Sequence, residues 1–335
     1  MKAYITGSGM AVPEGEVDNE EIAGKLGLEP EQIFKSSGIR RRRWAAQGTT
    51  TSSLAAAALR LALEDARVAA EDIDYLLFGT MTPDRFIPGS APAVQKSLGL
   101  REIPCLDIRG TCCNALYALQ LARALVASGT ARTVAICLAE IQSAWLDLTP
   151  EAGTTSMLFG DGASALIVSG DAATTGALEI LDLYLATDGT YIDDLGIRCP
   201  GTEFGTPRTH ETAARMSDYA ARMVGQSVIL QASRKIVAAC QTVLRRNDLE
   251  ASGVRWMVPH QANANLLAQV ARLLRFPADG GGVISVLEDF GNTSSASMGI
   301  ALDTLRRSGR IQTGDYLLLP AFGAGFTWGA GLCRA

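Results

Sequence analysis

Apolar residues recur along this chain with two alternating periods. Over 52–69 (SSLAAAALRLALEDARVA) they return at helical spacing behind Thr and Ser residues suited to capping, which predicts an amphipathic helix. Short apolar runs at 73–80 (IDYLLFGT) and 103–108 (IPCLDI) predict buried strands. The second run passes through Arg109-Gly110-Thr111 into a helix predicted at about 112–128, and 133–139 (TVAICLA) predicts a further strand. The second half repeats this order, with a helix over 227–246, strands over 254–259 and 283–288, a helix at about 293–307 and a strand over 316–320. Landmarks of the two halves register at an offset of 180 residues: Thr80 with His260, Cys112 with Asn292, and Ser128-Gly129 with Ser308-Gly309. Side-chain identity between the halves is low, so the repeat rests on element order and punctuation. It predicts a duplicated α/β unit, residues 1–170 and 171–335, whose strand-to-helix turns converge. Open α/β sheets bind ligands at the carboxyl ends of their strands, which is where Cys112, His260 and Asn292 fall.

Composition narrows the class. Of 335 residues, 47% are hydrophobic and 19% charged, enough for a large core and against disorder. A net charge of −5 argues against nucleic acid as the main partner. There is no run of 18 apolar residues to span a membrane, and Met1-Lys2-Ala3-Tyr4-Ile5-Thr6-Gly7 lacks the apolar stretch of a secretory signal, so a cytoplasmic protein is expected. The seven cysteines form no CxxC, and disulfides are not expected. With two histidines, His210 and His260, and no HExxH, no metal site is expected either.

Cys112 stands at a strand–turn–helix junction, where free N–H groups and the positive helix end favour a thiolate. The competing reading is a small buried hydrophobe, which suits its neighbour Cys113. His260 ends the apolar strand WMVP within Pro259-His260-Gln261-Ala262-Asn263; it is either a satisfied structural histidine or part of an unusually polar site wall. Asn292, in Gly291-Asn292-Thr293-Ser294, reads alone as a turn. The segment Phe322–Gly329 (FGAGFTWG) is a glycine-rich hairpin between strands, or a place where a backbone N–H approaches a substrate closely. Gly7-Ser8-Gly9-Met10-Ala11-Val12 lacks the third glycine of a dinucleotide fingerprint, and neither a G-x-S-x-G elbow nor a P-loop is present. The run Arg40-Arg41-Arg42-Arg43 reads as a solvated turn, with docking of an anionic partner as the alternative.

Cys112 on its helix, His260 in PHQAN, Asn292 in GNTSSAS and the terminal FGAGFTWG together resemble β-ketoacyl-ACP synthase III, the condensing branch of the thiolase superfamily. Gly38-Ile39-Arg40 and Phe159-Gly160-Asp161-Gly162-Ala163 extend the likeness over essentially the whole chain. The resemblance implies an α/β, thiolase-like fold: a duplicated βαβαβαββ unit in five αβαβα layers, assembled as a homodimer. It implies that Cys112 is acylated by an acyl thioester, that the backbone N–H groups of Cys112 and Ala324 form the oxyanion hole, and that His260 and Asn292 stabilise the enolate left when a malonyl-type thioester loses CO2. Acyl carrier protein, CoA thioesters or both would be the partners, and no metal, flavin or nicotinamide cofactor is implied.

Several positions depart from the resembled pattern. Position 324, usually glycine, is alanine. Relatives that use acetyl-CoA hold its adenine between a tryptophan and an arginine; those positions are Gln32 and Ala152 here. The resemblance implies that Ile87 is the residue that reaches across the dimer into the partner's acyl pocket, and that Asn263 is a hydrogen-bonding wall of the pantetheine tunnel. Carrier-docking positions are neutral at Leu230 and Asn265, while Arg272 remains basic. Two other readings stand beside condensation. One is acyl transfer to an oxygen or nitrogen acceptor, in which the asparagine is often changed. The other is a non-catalytic subunit, in which the cysteine is usually lost.

Overall fold

The computed structural model describes residues 1–172, 176–202, 216–277 and 281–335. Ten strands form its main sheet: β1 (Tyr4–Ala11), β2 (Tyr75–Gly79), β3 (Cys105–Ile108), β4 (Thr133–Glu140), β5 (Gly162–Ser169), β6 (Leu178–Thr187), β7 (Trp256–Met257), β8 (Gly282–Val283), β9 (Tyr316–Gly323) and β10 (Thr327–Arg334). Their order is β8-β7-β9-β10-β6-β1-β5-β4-β2-β3. Read outward from the centre, β1-β5-β4-β2-β3 and β6-β10-β9-β7-β8 are the same sequence of antiparallel and parallel pairings. The two runs join through only two residue pairs, Tyr4 with Glu179 and Ile5 with Leu178.

Five helices pack on this frame: α1 (Thr51–Ala66), α2 (Asn114–Ala127), α3 (Gly225–Arg246), α4 (Ala264–Leu274) and α5 (Ser297–Arg307). Side-chain alternation along the strands sets the layers. Val134, Ile136 and Leu138 of β4 and Leu317, Leu319 and Ala321 of β9 share one core with α2 and α5. Ala135 and Cys137, on the other face of β4, pack on α1, while Leu318 and Phe322 of β9 pack on α3 and α4. The succession is helix, strand, helix, strand, helix, with α2 and α5 in the middle. Both central helices end at the 180-residue offset, Ala127 before Ser128 and Arg307 before Ser308. The offset drifts elsewhere, since β4 starts at Thr133 and β9 at Tyr316.

Three expectations change. The helix expected over 52–69 stops at Ala66, because Arg67 turns into the left-handed region at φ 55°. The strand expected over 283–288 pairs only at Gly282–Val283, and Leu287–Phe290 forms a helical turn. The arginine run is neither a solvated turn nor an open basic patch. Arg41–Arg43 pairs as a short strand with Glu16–Asp18. Arg40 meets Glu288 at 2.7 Å, Arg41 meets Asp289 at 2.8 Å and Arg43 meets Glu16 at 2.8 Å. Arg42 is wholly buried, donating to the Asn19 side chain and the Met157 carbonyl. Among the described residues no helix is long and apolar enough to cross a membrane.

Candidate active site

An apolar cavity of about 160 Å³ opens where the two runs of strands end. Cys112, His260, Asn292 and Ala324 all face it, as does Asn263. Aliphatic side chains line the rest, among them Leu195, Met223, Val228, Ile236 and Leu266. His210 lies outside the described residues. Ile87 does not reach the cavity of its own chain and stands 76% exposed, beside Phe86 at 69%.

Cys112 sits in a 3-10 turn, Thr111–Cys113, that leads into α2. Thr111 takes φ 53°, and its hydroxyl donates to the Ala324 carbonyl at 3.2 Å, tying the β9–β10 hairpin to the Cys112 turn. Gly323 makes that contact possible, because a Cβ there would lie 2.9 Å from the Cys112 nitrogen and 2.4 Å from Thr111 Oγ1. The segment FGAGFTWG is thus both a hairpin and a close backbone approach to Cys112. Cys113 points away, into the central core, with its thiol 3.5 Å from the Thr327 carbonyl.

The free thiol is not held as a thiolate. Burial pushes Cys112 up to about 11, and nearby Glu140 pushes the same way; the Ser294 hydroxyl, 3.5 Å from Sγ, and the residue's own N–H pull it down. Asn292 is fixed through its backbone, which bonds Leu158 and Gly160, and through its side chain, whose Oδ1 accepts the Ser294 N–H at 2.8 Å. With Oδ1 committed, the NH2 group is what Asn292 has left to offer. Burial pushes His260 down to about 4, so the ring is neutral, and its Nδ1 lies 2.7 Å from Ser297 Oγ. Asn263 caps α4 through Oδ1 and donates to the Ser36 carbonyl at 2.8 Å, which leaves one amide proton uncommitted.

Glu140, Ser294 and Ser297 escaped the reading of the sequence. Glu140 is a lone carboxylate ending the apolar strand β4, a signal that could have been read. It is fully buried and accepts from Met81 N–H (3.0 Å), Thr82 Oγ1 (2.9 Å) and Ser295 Oγ (2.5 Å). Burial lifts its carboxyl to about 7 against those donors. Asp161 of the FGDGA motif fastens Ser143 and the Ala45 N–H beside the site. Among the described residues no group of His, Cys, Asp and Glu gathers to hold a metal.

Comparison with known proteins agrees with this architecture. Residues 106–189 match the family described as 3-oxoacyl-[acyl-carrier-protein (ACP)] synthase III, and residues 244–335 match its C-terminal family. The chain is 37% identical to a β-ketoacyl-[acyl-carrier-protein] synthase III of Rhodospirillum centenum, over 100% of this chain and 99% of that one. It is 38% identical to the protein of the same name from Erythrobacter litoralis, again over 100% and 99%. Among solved structures, 3-oxoacyl-[acyl-carrier-protein] synthase III from Aquifex aeolicus superposes with a TM-score of 0.89 at 29% identity, covering 99% of this chain and 100% of that one. The priming β-ketosynthase of the R1128 polyketide pathway gives 0.89 at 31% identity, covering 99% and 95%. With near-complete coverage on both sides and a thiolase-type duplicated α/β fold, the chain belongs to the β-ketoacyl-[acyl-carrier-protein] synthase III family.

Proposed function

We propose that this protein loads an acyl group onto Cys112 and condenses it with a malonyl-type thioester, giving a β-ketoacyl thioester. The carrying observation is that Cys112, a neutral His260 and an Asn292 with its NH2 group uncommitted face one apolar cavity. In the first half-reaction Sγ attacks the acyl carbonyl, the carrier's C–S bond breaks, and the thiol proton leaves on the departing thiolate. The Cys112 and Ala324 N–H groups receive the oxyanion. In the second, the extender's C–CO2 bond breaks and its electron pair moves onto the thioester oxygen. His260 and Asn292 stabilise that oxygen by hydrogen bonds. The enolate carbon then attacks the acyl-cysteine and expels Cys112 as a thiolate, which takes up one proton from solvent to restore the free thiol. Neutral donors suit this task, because they need no proton exchange with solvent. Intact-protein mass spectrometry tests the cycle: an acyl adduct forms on Cys112 with donor alone and is discharged on adding malonyl thioester. An adduct that malonyl thioester leaves in place contradicts the reading.

We read the chain as two copies of one unit, dividing near residue 170, and as a homodimer working in the cytoplasm. The seven cysteines are free, in keeping with a reducing compartment. The open edge strand β3 carries Leu106, 42% exposed, and the segment with Phe86 and Ile87 has its apolar tip in solvent. That segment is pinned at its base by Glu140, by Asp84 to Ser52, and by Asp107 to the Ser90 and Ala91 N–H groups. A rigidly held apolar tip fits insertion into a partner's acyl pocket. Light scattering should therefore report a dimer, and Ile87→Phe should shift preference toward short acyl chains. A monomer, or an unchanged chain-length profile, would count against the arrangement.

Acyl carrier protein is the proposed donor, ahead of CoA. Beyond Ala221 and Met223 a second groove continues from the cavity, and Asp147, Glu151 and Ala152 line it. A nucleotide diphosphate there would meet two carboxylates and Arg222, itself paired with Asp218 at 3.0 Å, with no ring at Gln32 and no guanidinium at Ala152. Stacking of an adenine contributes ~1–3 kcal/mol where such groups exist, about 5- to 150-fold in affinity. For one acyl group, kcat/KM for acylation should be higher from the carrier protein than from CoA; equal or better values with CoA refute this. Arg40, Arg41 and Arg43 already face Glu288, Asp289 and Glu16, so carrier docking must draw on other charges, Arg272 among them.

A further inference from the structure

The hydroxyl of Ser297 has three neighbours, and it has one proton to give. It accepts the Gln261 N–H at 3.1 Å, lies 2.7 Å from His260 Nδ1, and lies 2.8 Å from the Ser294 carbonyl. Ser297 is completely buried, shielded from bulk solvent. Gln261 holds the arrangement still. Its amide, also fully buried, donates to the Pro259 and Ile284 carbonyls at 2.8 and 3.0 Å and accepts the Val286 N–H at 2.9 Å. The turn Pro259–Gln261 is thereby locked, and the Gln261 N–H occupies one lone pair of Ser297.

Two places compete for one hydroxyl proton: the Ser294 carbonyl, to which Ser297 Oγ can donate at 2.8 Å, and Nδ1 when it is unprotonated. The Ser294 carbonyl already receives the backbone N–H of Ser297 at the close of the 3-10 turn Ser294–Ala296. An unprotonated Nδ1 would have no donor but Ser297 Oγ among the hydrogen bonds of the described residues. The tautomer of a histidine is set by the bond its second nitrogen makes. We propose that Ser297 is a positioning residue that donates to Nδ1 and holds His260 as the Nε2–H tautomer, so that the ring presents a donor to the cavity. The proposal rests on the condensation reading, in which His260 must donate to the enolate oxygen. The opposite tautomer would put a lone pair against that oxygen.

The two-histidine composition makes the tautomer directly observable. Histidine-selective 15N labelling gives signals from His210 and His260 alone, and His210→Gln leaves only His260. Nε2 should carry the proton in the wild type. Ser297→Ala removes the donor to Nδ1 and should raise the share of the Nδ1–H tautomer. Ser297→Ala should still form the acyl-Cys112 adduct but release CO2 from malonyl thioester about 10- to 100-fold more slowly. Ser297→Thr, which keeps a hydroxyl, should retain the wild-type tautomer and recover CO2 release. An Nδ1–H ring in the wild type overturns the proposal. So does wild-type CO2 release by Ser297→Ala while His260→Ala is impaired. Undiminished release by both variants overturns the condensing role itself.

Discussion

Replacing Cys112 by alanine should abolish acyl-enzyme formation, whereas Cys113→Ala should form the adduct at close to the wild-type rate. The two sulfurs are adjacent in sequence, yet only Cys112 borders the cavity. Cys113 is sealed in the central core against the Thr327 carbonyl, and burial lifts its thiol far above the ordinary range, with Cys112 adding to the effect. Ser294, whose hydroxyl lies 3.5 Å from Cys112 Sγ, has no base among its hydrogen-bond partners in the described residues to make it a replacement nucleophile. Removing a nucleophile costs the whole covalent route, so the effect on turnover should approach the background rate. Cys113→Ala should lower stability instead, by about 1 kcal/mol, the scale for trimming a buried side chain by one heavy atom. Intact-protein mass after exposure to an acyl thioester separates the outcomes, and native-rate acyl gain by Cys112→Ala refutes the assignment.

The second large effect should divide the reaction in two. His260→Ala and Asn292→Ala should accept the acyl group nearly normally yet lose malonyl decarboxylation by about 10²–10³-fold each, the scale for removing one donor to a developing oxyanion. Neither side chain has a hydrogen bond to the Cys112 sulfur, whose polar neighbour is Ser294. Their remaining donors belong to the extender step. The pH dependence of that step should carry no His260 ionisation above about pH 5, since burial holds the ring down to about 4. Release of CO2 measured alongside adduct formation checks both claims. Undiminished decarboxylation by Asn292→Ala would remove the condensing role.

Much of this site was legible in the chain, for identifiable reasons. Strand-to-helix turns carry strong punctuation, and the 180-residue register put Cys112 and Asn292 at equivalent turns, with His260 ending its strand where Thr80 ends its own. What failed depended on partners far away in sequence. The run 283–288 has strand composition, but its last ladder bond is the Ile284 N–H to the Met257 carbonyl at 2.8 Å; beyond it Gln261 takes the Ile284 carbonyl and the Val286 N–H with its side chain. No local pattern announces that substitution of an amide for a neighbouring strand. Arg42 looked like one of four solvated charges and is instead buried, held by Asn19 and Met157. Glu140 acts at a distance of the same kind, joining the end of β2 to the Ser295 turn. Burial of the Cys112 thiol, which pushes it up to about 11, likewise depends on packing that the local sequence does not announce.

Condensation predicts a product that simple acyl transfer cannot make. The decisive measurement supplies the wild-type protein with an acyl thioester and malonyl carrier protein labelled with 13C at the methylene carbon, then follows the label and the CO2. The account predicts a β-ketoacyl thioester in which the labelled carbon is bonded to the donor's carbonyl carbon, with one CO2 released for each acyl group consumed. Recovery of the acyl group on a hydroxyl or amine acceptor, with the malonyl thioester intact, would contradict it.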